Sequence, residues 1–135
     1  MLIYYNLVKS PQAQIKKPVK ELTLELAEFI AKFPERASHL PAEEFLFESI
    51  EKFPEESAKF WVYLADFYTR LGEFDHAREV FDSSLDKCDT VASFGILFSA
   101  YLKFEETIAD AEQDYDRLES LIDKRPFLLS NVVLR

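Results

Sequence analysis

The sequence predicts an all-α fold, an α-solenoid of antiparallel helix pairs, on three observations. Apolar residues recur at helical spacing along the chain from Lys20 onward. Gly occurs only 2 times in 135 residues, too few for a turn-rich β protein, while 48% of the residues are hydrophobic and 15% aromatic. Finally, the pattern repeats. Trp61, Leu64 and Phe67 fall on Phe98, Tyr101 and Phe104, a step of 37 residues, and one step upstream Thr23, Leu26 and Ile30 or Phe29 lie beneath Trp61, Leu64 and Tyr68 or Phe67. A period of that length made of helix–turn–helix units is the mark of a solenoid.

The elements follow in order. Residues 1–19 read as a lead-in, extended around Pro11 and Pro18, with a helical tendency in the first ten residues. Residues 20–135 form the repeat domain, about three helical hairpins with an open C-terminal end. Leu22, Leu26, Phe29, Ile30 and Phe33 make the first stripe; Ala42, Phe45, Leu46, Ile50 and Phe53 make the second, with Pro41 suited to the first helical position. Each of these stripes closes on the same phrase, Lys-Phe-Pro-Glu, at 32–35 and again at 52–55. The residue before a proline is biased out of the helical region, so both phrases terminate helices, with the Phe expected in the core.

The third stripe is Trp61, Leu64, Ala65, Phe67, Tyr68 and Leu71, ended by Gly72 in a left-handed cap. Phe74, Ala77, Val80, Phe81, Leu85 and Cys88 make the fourth. Val91, Phe94, Leu97, Phe98, Tyr101, Leu102 and Phe104 make the fifth. Ile108, Ala111, Tyr115, Leu118 and Ile122 make the sixth, with Pro126 as its stop. Phe81 and Leu85 recur 37 residues later as Leu118 and Ile122. The apolar run from Phe127 to Leu134 includes Phe127, Leu129 and Val133, a candidate interface that would be covered by a further hairpin, by folding back, or by a second copy of the chain.

Charge and residue inventory exclude several functions. With 25 acidic and 16 basic residues the net charge is −9, so tight binding of a phosphate backbone by the whole domain is disfavoured. Lys16, Lys17, Lys20, Lys124 and Arg125 are the local basic spots, and Glu105, Glu106, Asp110, Glu112, Asp114 and Asp116 read as a solvated helix face. Cys88 is the single cysteine, which rules out an internal disulfide and fits a reducing compartment. The start, MLIYYNLVKS, is too short to span a bilayer and lacks a basic region and a cleavage site, so no membrane partner is expected. His39 and His76 have no metal-ligand or catalytic spacing, so neither metal, cofactor nor enzymatic chemistry is expected. Trp61 is expected to fill the gap between hairpins, and Arg78 to pack its stem between helices against an acidic neighbour.

The stretch FWVYLADFYTRLGEFDHAREVFDSSL resembles the half-a-TPR (HAT) repeat, through Trp61, Leu64, Phe67, Gly72, Ala77, Arg78, Val80, Phe81 and Leu85. Phe98, Tyr101, Phe104 and Glu105 supply a second copy. With LTLELAEFIAKFPE and RLESLIDKRPFLLSNVVLR, the chain is similar to the Syf family of pre-mRNA-splicing factors over about Lys20 to Arg135. It departs at Thr23, where the repeat has Trp, at Tyr68, where Glu is usual, and at Asp114 and Tyr115, which replace an Ala-Arg pair. The resemblance implies a piece of a longer, nuclear, non-catalytic spliceosomal scaffold. Its implied partners are proteins of the NineTeen-type complex and a crooked-neck-like HAT protein, with RNA contact weak or indirect. The alternative is a TPR-like peptide adaptor outside splicing; one that grips acidic tails would need several basic residues on its inner surface, where the best copy offers Lys59 and Arg70.

Overall fold

The computed structural model describes residues 18–135, so the lead-in through Lys17, with Pro11, Lys16 and Lys17, lies outside the described residues. Those residues form six α-helices, α1 (Val19–Lys32), α2 (Ala42–Lys52), α3 (Ser57–Arg70), α4 (Phe74–Lys87), α5 (Val91–Glu112) and α6 (Asp116–Val133), with a short 3-10 turn at Pro54–Glu56. The chain divides into two compact units, one running through Ala77 and one from Arg78 to Arg135.

In the first unit α3 packs against both α1 and α2. Its core is Leu26, Ile30, Leu46, Phe60 and Leu64, each 1% exposed or less, and Thr23 is buried with them. Thr23 is tolerated there because its hydroxyl donates to the Val19 carbonyl at 2.7 Å, so no polar group is left bare. Lys20 is not merely a solvated charge: it joins α1 to the 3-10 turn through Glu55 at 3.2 Å and Glu56 at 3.5 Å.

Both Lys-Phe-Pro-Glu phrases do end helices, since α1 stops at Lys32 and α2 at Lys52. The two phenylalanines part company, however. Phe53 is half-buried and stacks on Phe60 with 6.2 Å between ring centroids, whereas Phe33 is 44% exposed rather than in the core. Each sits one residue past its helix, with φ near the extended range, so the helical period no longer dictates where the ring points. Pro41 caps α2 rather than opening it, and Val19, assigned to the lead-in, is already helical.

Gly72 adopts φ +79, the left-handed cap that the sequence predicts. The Glu73 amide donates to the Tyr68 carbonyl at 2.9 Å and the Gly72 amide to Thr69 at 3.0 Å, the paired bonds of a Schellman motif. A Cβ built on Gly72 meets nothing within 4 Å. Gly72→Val should therefore cost about 1–2 kcal/mol through backbone strain alone, read as a lowered denaturant midpoint. An unchanged midpoint would show that the cap is not held in the left-handed region.

The second unit corrects the predicted boundaries. Ile108 and Ala111 belong to α5, which runs unbroken from Val91 to Glu112, and Pro126 is no stop but lies inside α6. The break falls at Gln113, in the left-handed region at φ 58, followed by Asp114, whose carboxylate accepts from the Asp116 amide at 3.2 Å. Pro126 is exposed, and so is Ile122 at 50%, so the Ile122 carbonyl that loses its partner amide is on the solvent side of the helix. Of the predicted sixth stripe only Ile108 is buried; Leu118 is half-buried, and Ala111, Tyr115 and Ile122 are exposed. The core face of α6 instead carries Leu121 and Val132, at 6% and 2% exposure. Leu71, Phe74 and Val91 are likewise exposed edges of their stripes rather than core.

Candidate interaction surfaces

Of the twelve signature residues of the sequence ten are buried, Arg78 is half-buried and Gly72 is exposed, whereas none of the three candidate interface residues is fully buried. Trp61, Leu64 and Phe67 of α3, Ala77, Phe81 and Leu85 of α4, and Phe98, Tyr101, Phe104 and Glu105 of α5 are all buried. Trp61 meets Phe47 edge-on at 6.2 Å between ring centroids, an arrangement favoured by the ring quadrupoles.

The seam between α4 and α5 is the most specific construction in the second unit. Phe81 stacks on Tyr101 with centroids 4.7 Å apart and planes 9° from parallel, and also touches Phe104 at 5.5 Å. Arg78 places its guanidinium 5.6 Å from the Phe104 ring centroid and donates through Nε to Glu105 Oε1 at 3.1 Å. Arg78 thus meets an acidic neighbour, as its sequence context predicts. Glu105 is 5% exposed, so it leaves the solvated acidic face to which its neighbours Glu106, Asp110, Glu112, Asp114 and Asp116 belong. The Tyr101 hydroxyl donates to Asp82 Oδ1 at 3.1 Å. Burial first, then the Asp82 carboxylate beside it, push that phenol well above the ordinary tyrosine range. These groups are therefore structural polar contacts at a packed seam.

Arg135 closes the second unit from its far side. Its guanidinium donates to the Leu85 carbonyl at 2.9 Å and to the Cys88 carbonyl, at the C-terminus of α4, where unpaired carbonyls and the helix dipole favour a cation. Cys88 beside it is buried, and desolvation raises its thiol pKa. Arg125, one of the basic pair Lys124 and Arg125, lies 5.7 Å from the Phe98 ring centroid.

The candidate interface residues are on the outside of α6. Phe127 is 67% and Val133 66% exposed, Leu129 is half-buried, and Leu134 is 82% exposed. Ile122, Pro126, Leu129 and Val133 follow one another at spacings of three and four and so form a single row along the helix, next to the row that carries Leu121 and Val132. Phe127 and Leu134 stand on the other side. The row through Ile122 was missed in the sequence because Ile122 was assigned to the core.

Among the described residues no cluster of His, Cys, Asp and Glu could hold a metal ion, and no helix is long and apolar enough to cross a membrane.

Helices paired through aromatic seams, a glycine cap and a part-buried Arg–Glu contact between consecutive helices define a helical-repeat protein of the HAT class. The family model for the pre-mRNA-splicing factor SYF1 middle HAT repeat matches residues 4–117, and the chain belongs to that family, whose fold is a helical solenoid. It is 28% identical over 135 residues to pre-mRNA-splicing factor cwf3 of Schizosaccharomyces pombe, with 89% of this chain and 17% of that protein covered. To pre-mRNA-splicing factor SYF1 of Homo sapiens it is 32% identical over 133 residues, covering 85% of this chain and 16% of that protein. Against SYF1 of Dictyostelium discoideum the identity is 27% over 129 residues, 83% of this chain and 15% of that protein. The chain thus spans about one sixth of the length of these relatives.

Proposed function

We propose that this chain is a non-catalytic protein–protein scaffold of the nuclear splicing machinery, binding other splicing proteins and touching RNA weakly or indirectly. The observation that supports this most is the family match over residues 4–117, in company with relatives named as pre-mRNA-splicing factors. The net charge of −9 agrees with protein rather than RNA as the main partner. Proteins of a NineTeen-type complex and a crooked-neck-like HAT protein are the partners that the family resemblance suggests. Affinity capture from nuclear extract tests the reading: splicing proteins should dominate the recovered set. A chaperone in first place would instead favour a peptide adaptor outside splicing.

The exposed row on α6 is the surface we assign to that docking. Ile122 and Val133, with Phe127 and Leu134 around the helix, are exposed and Leu129 is half-buried, a grouping of apolar side chains that suits a docking face. On its own the 135-residue chain should self-associate through this face as concentration rises. Leu129→Glu and Val133→Glu should each shift the sedimentation equilibrium toward monomer while leaving the helical signal intact. A wild-type chain that stays monomeric at high concentration would remove α6 as the docking face and leave the family assignment untouched.

A further inference from the structure

We propose that an open cleft at the end of α1, lined by Lys32, Phe33, Pro34, Glu35, Arg36 and Arg70, is a docking site for an acidic linear peptide of a partner protein. The cleft measures about 470 Å³ and lies wholly within the first unit. In a chain of net charge −9 it gathers three cations against one carboxylate, Glu35. Lys32 is held by Glu28 at 2.8 Å, which favours its charged form, while the Arg70 charge beside it works in the opposite direction. Two like charges therefore share one wall. Among the described residues neither Arg36 nor Arg70 forms an ion pair.

The aromatic floor sets this cleft apart from its sequence twin. At the second Lys-Phe-Pro-Glu phrase the ring of Phe53 stacks on Phe60, and Glu55 is taken up by Lys20. At the first, Phe33 stays 44% exposed with the Arg36 guanidinium 5.2 Å from its centroid. A guanidinium stacked on a ring keeps its in-plane donors for a carboxylate, and an exposed ring beside it offers a seat for an apolar side chain. The chemistry that fits is carboxylates flanking one apolar residue. A peptide is favoured over RNA because its charge can be confined to the cleft, whereas a phosphate backbone would run on across an acidic surface.

The assignment rests on the protein-binding reading above and names the chemistry of one partner. A chain that captures splicing proteins but ignores the peptide would lose this site and keep that reading. The test uses the 135-residue chain and a fluorescein-labelled peptide of alternating Glu and Asp with one central Leu. Binding is read by anisotropy and mapped by amide chemical shifts. Shifts are expected at residues 32–36 and at Arg70, with affinity falling as salt is added. The Arg36→Glu/Arg70→Glu pair should weaken binding about tenfold or more, Phe33→Ser should weaken it several-fold, and Lys103→Glu, at an exposed position of α5, should not. No binding, shifts elsewhere, a double variant equal to wild type, or displacement from these residues by oligouridine at matched charge would each overturn the proposal. The wild-type shift map stands without any variant, so a misfolded substitution leaves the test intact.

Discussion

Trp61→Ala is expected to destabilise the first unit by about 3–5 kcal/mol, the cost of deleting a large buried aromatic and leaving a cavity. Trp61 is 6% exposed on α3, the helix that packs on both α1 and α2, so its removal deletes a large buried side chain from the helix that joins the unit together. The Phe47 edge contact at 6.2 Å goes with it. Against a typical domain stability of about 5–15 kcal/mol, a loss of that size is visible as a large drop in thermal or denaturant midpoint. A variant that melts with the parent would mean that the ring is not packed as described.

Arg78→Met should cost a comparable amount, about 3–5 kcal/mol, for an electrostatic reason. The substitution keeps the apolar stem and deletes the cation, leaving the Glu105 carboxyl group 5% exposed and without the guanidinium 3.1 Å away. Most of the cost is then the desolvation of a stranded carboxylate, not the worth of the pair itself. Replacing both residues separates the two contributions. Arg78→Met with Glu105→Leu should recover much of the loss, because two apolar side chains at a seam already formed by Phe81, Tyr101 and Phe104 need no partner. A double variant as unstable as Arg78→Met alone would show that the pair shapes the seam rather than merely balancing charge.

What the sequence made legible follows from how local each signal is. Gly72 could be placed in a left-handed cap from one residue type at the end of one stripe, since only the backbone decides it. The aromatic positions of α3 and α5 were found by their repeat because every member points into a core. Pro126 misled because a proline can be carried inside a helix where the carbonyl it orphans and crowds can tilt toward water, and Ile122 is on an exposed side. The α5–α6 break was missed for the converse reason. Gln113 takes the conformation a glycine would normally mark, and the usable signal was Asp114, a short side chain that accepts from the amide of Asp116 in an Asx turn just before the helix. The cleft at Phe33 was not legible at all. The two identical phrases do not themselves say which ring turns inward: Phe53 is taken up by Phe60 through tertiary packing, whereas Phe33 meets only its chain neighbours Phe29 and Arg36 among the ring contacts described.

The Arg135 clasp has a kinetic consequence. It joins residues 50 and 47 positions apart in sequence, in a unit whose other seams link consecutive helices. Such a non-local contact closes a long loop and forms only after the local pairs have assembled, late on the folding path. Its contribution belongs to the descent from the transition state. Arg135→Ala should therefore speed unfolding while leaving the folding rate nearly unchanged, so that the clasp acts as a latch on the lifetime of the folded unit rather than as a guide to its formation.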